Sequence, residues 1–145
     1  MNNSNKLTGG RVPPSFAVCF LADCPLADKC LRRLVGENMP DNRLFGPAVY
    51  PSARTTDGCT MFREAKKVCA AYGFSRLFAD VKYNDLKKLR NEVYSLLGGR
   101  RNYYRYNSGE ILVMPSMQED IQNLFNKFGY SEKVVFDNYC DVYEF

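Results

Sequence analysis

An α+β fold is what this sequence predicts: a single compact domain of three to four helices and a small antiparallel sheet, with a loop-rich, cysteine-knit segment on its N-terminal side. Three observations lead there. Most of the seven prolines fall between residues 13 and 58, where apolar periodicity is weak. Beyond residue 60, apolar side chains recur at helical spacing in several separate stretches. Short aromatic and β-branched runs, flanked by turn residues, lie between those stretches and close the chain. At 145 residues and 46% apolar composition, there is material for one domain core.

Residues 1–12 are polar, carry Gly9-Gly10 and read as a flexible tail ahead of a domain spanning 13–145. Within it, 13–59 is the cysteine-cluster segment and 60–145 the helical and hairpin core. Leu26, Leu31, Leu34 and Val35 predict a short helix around Cys30. Met61, Phe62, Ala65, Val68, Cys69 and Tyr72 predict a helix capped by Thr60 and stopped at Gly73. Ser75 opens a helical turn with Leu77, Phe78 and Val81. Leu86, Leu89, Val93 and Leu96 stripe a clearer helix, closed by Gly98-Gly99. Tyr103–Tyr106 and Glu110–Val113 flank Asn107-Ser108-Gly109 as a hairpin would. Ser116 and Glu119 form a capping box for a helix carrying Met117, Ile121, Leu124, Phe125 and Phe128. Val134–Phe136 and Tyr139–Phe145 are strand-like, with a turn near Asp137-Asn138.

The chemistry concentrates in the cysteines. Cys19, Cys24, Cys30 and Cys59 are separated by four, five and 28 residues. Three thiols close together and one distant partner suit a tetrahedral metal site, and metal binding would order a segment too loop-rich to order itself. There is no histidine, so the ligands must be thiolates, with Asp23, Asp28 or Asp57 able to replace one. Zinc is the leading ion. An iron–sulfur cluster is the alternative, because it too takes four thiolates and tolerates unusual spacings. Against both stands the plainer role of free cysteines as small buried hydrophobes, the role expected of Cys69 and Cys140.

The net charge of +4 is unevenly spread. Residues 60–106 carry eleven Lys and Arg against four acids, whereas 107–145 carry two against seven. Lys87, Lys88, Arg100, Arg101 and Arg105, interleaved with tyrosines, are candidate nucleic-acid contacts. With helices before it and a hairpin after it, the 85–97 helix would make a winged-helix DNA binder. The plainer reading is a solvated helix face.

Catalysis finds little support. Without histidine the usual general base is missing, and no nucleotide-binding glycine motif is present. No apolar run approaches the roughly 20 residues a membrane span needs. The seven-residue run Phe16–Ala22 is short for an export signal, Pro13-Pro14 interrupts its approach and Asp23 follows it. A cytoplasmic protein with reduced thiols is expected.

Several phrases occur together: Cys24-Pro-Leu-Ala-Asp-Lys-Cys30-Leu-Arg, Gly46-Pro-Ala-Val-Tyr-Pro51, Tyr103-Tyr-Arg-Tyr106 with Gly109-Glu110, and Phe136-Asp137 near the end. They resemble an uncharacterised domain-of-unknown-function family of Bacteroidota over roughly residues 11–145. The resemblance implies a bacterial, cytoplasmic protein and brings no activity, cofactor or site residue with it. The expected role is a non-enzymatic, zinc-stabilised binding module, with a DNA-binding regulator and an iron–sulfur sensor as alternatives.

Overall fold

The computed structural model describes residues 12–145, so all of the expected tail except Val12 lies outside the described residues. The chain divides into two compact units: residues up to Lys67 together with Val142–Phe145, and Val68–Asp141. The first unit runs on to Lys67 and takes in four residues from the far end of the chain.

In the first unit, a 3-10 turn at Ala27–Lys29 leads into α1 (Leu31–Glu37), the short helix expected around Cys30. Its buried side chains, Leu31 and Val35, join Val18 in a small core. Phe16, Met39, Ala65, Tyr143 and Phe145 cover that core. The C-terminal residues are tied in twice, by the Glu144 N–H to the Lys66 carbonyl at 3.0 Å and by Phe145 meeting Phe16 edge-on at 5.0 Å. Gly36 sits where α1 passes the backbone of Cys19, and a Cβ there would collide with the Cys19 carbonyl. A minimal hairpin of β1 (Arg54–Thr55) and β2 (Gly58–Cys59) completes the unit.

The second unit holds most of the buried apolar surface. β3 (Lys67–Tyr72) pairs with the last strand, β4 (Asn138–Tyr143), in an antiparallel sheet, most of both strands belonging to this unit. Three helices lie between them: α2 (Tyr83–Leu96), α3 (Arg100–Ser108) and α4 (Pro115–Lys127). α2 packs on both of the others. Phe74, Leu89, Val93, Val113, Ile121, Phe125 and Phe136 form the centre of the core. The start of α2 is pinned from outside: the Tyr130 hydroxyl accepts the Lys82 N–H at 3.0 Å and donates to Asp85 at 2.7 Å.

The α+β class, the helices of 83–96 and 115–127 and the strand at 138–143 agree with the sequence pattern; four assignments do not, the first being Val134–Phe136, which lies outside the strands. The helix expected over 60–72 is extended chain and strand. Met61, Phe62 and Cys69 are exposed, and pairing with β4 outweighs a modest helical periodicity. The hairpin expected over 103–113 is the helix α3. Tyr103 and Tyr106 lie inward at helical spacing, and Gly109, left-handed at φ 82°, ends the helix instead of turning a hairpin. The Ser116–Glu119 box does not form, because α4 starts earlier with Pro115 in its first turn, where proline's fixed φ suits and its missing N–H costs nothing.

Asp137 fixes the entry to the 75–80 turns. Its carboxylate accepts the N–H groups of Ser75 at 3.1 Å and Arg76 at 2.8 Å, while its own N–H donates to the Gly73 carbonyl. Burial works against its ionisation, but those N–H groups and the Arg76 charge outweigh it and hold the carboxyl below its usual range.

Gly36→Ala should destabilise the first unit by about 2–3 kcal/mol, the cost of forcing atoms into a filled space. Gly46→Ala, whose Cβ would meet only the Arg43 side chain at 3.6 Å, should change stability by no more than about 0.5 kcal/mol. Denaturant titration of the two variants checks both. Because the Asp137 pKa is depressed in the folded state, its stabilisation is complete above the unfolded value of about 3.9 and disappears as pH falls through the folded value. Asp137→Asn should lower stability at neutral pH and flatten the acid limb of the stability–pH curve.

Candidate functional site

Cys19, Cys24, Cys30 and Cys59 line one small cavity of about 20 Å³ in the first unit, together with Leu21, Leu26 and Met61. Each arrives on a different local structure. Cys19 follows Val18, which bridges Ala48, and its N–H donates to the Arg32 carbonyl at 3.0 Å. Cys24 precedes the 3-10 turn and accepts the Ala27 N–H. Cys30 is the residue before α1 and pairs with Glu64. Cys59 ends the β1–β2 hairpin opposite Arg54. Cys19 and Cys30 are buried, whereas Cys24 and Cys59 are half-buried.

Three arginines that the sequence reading passed over hold these loops together. Arg32 donates through Nε to the Met61 carbonyl at 2.8 Å and through Nη1 to the Ala17 carbonyl at 2.9 Å, with its guanidinium over the Phe16 ring at 4.6 Å. Arg33 donates to the Leu21 carbonyl at 2.7 Å and pairs with Glu37. Arg54 reaches Asp23, beside Cys24, at 3.1 Å. Hydrogen bonds from charged donors contribute about 1.5–3 kcal/mol each where sheltered. The exposed Arg54–Asp23 pair contributes less. The only signal for them in the sequence is the Arg32-Arg33 pair directly after Cys30.

All six cysteines are free thiols. The four of the cavity line its wall without forming a coordination shell: among the described residues, no three Cys, Asp or Glu side chains are arranged to hold an ion. Asp23, Asp28 and Asp57, the suggested substitute ligands, are exposed and do not line the cavity. Cys140 is half-buried on β4. Cys69, expected in a core, is exposed on β3, because its neighbours Ala70 and Ala71 take the buried positions there.

The basic candidates belong to the second unit. Lys87, Lys88, Arg100 and Arg101 are exposed. Arg100 lies over the Tyr104 ring at 5.8 Å and donates to its hydroxyl, which lowers the tyrosine's pKa. Tyr103 beneath is buried between Tyr94 and Phe74, and burial pushes its hydroxyl up to about 12. Arg105 is already neutralised by Glu110 at 2.9 Å. With α3 in place of the wing and Arg105 spent on an ion pair, the winged-helix reading loses its second contact element. Among the described residues, no helix is long and apolar enough to cross a membrane.

A model of DUF6078, a family of unknown function, matches residues 1–145, and the chain belongs to that family. No curated protein and no solved structure matches it.

Exposure sets the reactivity of the thiols. In metal-free protein under native conditions, Cys69 should be alkylated first and Cys19 and Cys30 last, by more than about tenfold in rate. Peptide mass mapping over a time course reads this order. Equal rates at all sites would contradict it.

Proposed function

We propose that this protein is a non-enzymatic binding module whose first unit is stabilised by one zinc ion held by Cys19, Cys24, Cys30 and Cys59. The observation that supports this is the meeting of four thiols, drawn from positions 19 to 59, on one cavity of about 20 Å³. That volume is close to one water-sized sphere, room for a single ion. An iron–sulfur cluster brings several iron and sulfide atoms and asks for more space. Zinc takes tetrahedral sulfur at about 2.3 Å and has no redox chemistry of its own. Cys30 is bonded through both its N–H and its carbonyl and Cys19 through its N–H, while Cys24 and Cys59 are the more exposed members of the four. A closed four-thiolate site leaves no open position for substrate, which fits a structural and not a catalytic ion.

Elemental analysis of protein purified without oxygen should give about one zinc per chain and no colour. Iron would favour the cluster instead, and the absence of both metals would remove the proposal. In the zinc-loaded protein, Cys24→Ser or Cys30→Ser should raise hydrogen exchange across residues 13–58, and Cys140→Ser should not. Equal protection in all three variants would count against a metal-ordered segment.

A further inference from the structure

We infer that the first unit carries a second site, distinct from the thiols: a cavity that binds a small aromatic or branched aliphatic carboxylate. This deepens the binding half of the proposal above, and it does not depend on zinc. The cavity holds about 230 Å³. Phe16, Val18 and Met39 line its interior, and Phe20, Leu44 and Phe45 also line it while standing 57%, 87% and 92% exposed. Single exposed apolar side chains are ordinary, but three large ones around one concavity mark a ligand site. An apolar cavity of 150 Å³ accommodates benzene, so this one has room for a ring with a short chain.

The loop that presents these residues is anchored. The Arg43 N–H donates to the Pro40 carbonyl at 3.0 Å. Beyond the loop, Val18 donates to Pro47 at 3.2 Å and accepts from Val49 at 2.8 Å. The backbone is therefore tied on either side of Leu44 and Phe45.

Charge selects the ligand class. Arg43 is the one charged side chain among the described lining residues. It makes no ion pair or side-chain hydrogen bond among the described residues. A guanidinium fork takes a carboxylate through two parallel hydrogen bonds. One cation beside an apolar cavity matches a monoanion with an apolar body; a phosphate would call for more positive charge.

The test is an NMR titration of the full-length, isotope-labelled protein with 4-phenylbutyrate and, separately, its uncharged amide. The acid should shift the backbone signals of Phe20, Leu44 and Phe45 saturably, with sub-millimolar affinity. Arg43→Gln should weaken the acid about tenfold and leave the amide unchanged. Arg43 is exposed and makes no side-chain bond among the described residues, so this variant should fold as the parent does. No saturable shift up to about 10 mM acid, equal affinity for acid and amide, or shifts confined to other residues would each overturn the inference. Zinc content is measured on the same sample. Full zinc without shifts overturns only this site, and shifts without zinc overturn only the thiol site.

Discussion

Guanidinium groups bonded to backbone carbonyls hold the cysteine-bearing unit in shape. A helix of seven residues is too short to persist alone, and among the described residues the core beneath α1 has three buried members. What α1 offers is a pair of long cationic side chains. Arg32 reaches the chain on both sides, at Ala17 and Met61, and Arg33 reaches Leu21. Those carbonyls flank Cys19 and follow Cys59, so the bonds that order the loops also bring the thiols to a common wall. A carbonyl in such a loop has no ladder partner, and a charged donor meets that need more strongly than a neutral one.

The two units solve the folding problem differently. The second has twelve buried core residues with several aromatic pairs, and its polar bonds refine positions the core already sets. The first adds to a small core the bonds of Arg32 and Arg33 to loop carbonyls. Such regions open locally at lower free energy than cores do. A bound ion would add most where the intrinsic stability is smallest, because metal-binding free energy becomes folding free energy.

How much of this was legible in the sequence depended on the kind of signal. The stripe Leu86, Leu89, Val93, Leu96 is a periodic pattern, and α2 followed it. Identity and spacing pointed the four cysteines at one ion; they line one cavity, but among the described residues no three are arranged to hold an ion. The stretch 60–72 misled because its apolar spacing fits a helix locally, while its strand partner lies some seventy residues away. Gly109 misled for another reason: a left-handed glycine ends helices and turns hairpins alike, and only the inward side of Tyr103 and Tyr106 tells them apart. The arginine bonds were not legible, because a carbonyl acceptor leaves no trace in the identity of the residue that carries it.

The membership of Val142–Phe145 in the first unit bears on how the protein is made. A nascent chain leaves the ribosome N-terminus first, and domains usually fold in that order. Here the earlier segment lacks Tyr143 and Phe145, two of the side chains covering its core, until all of the later unit has been synthesised. The segment with the most thiols therefore waits longest for its packing. During that interval its cysteines are accessible to whatever metal or oxidant the surrounding solution holds.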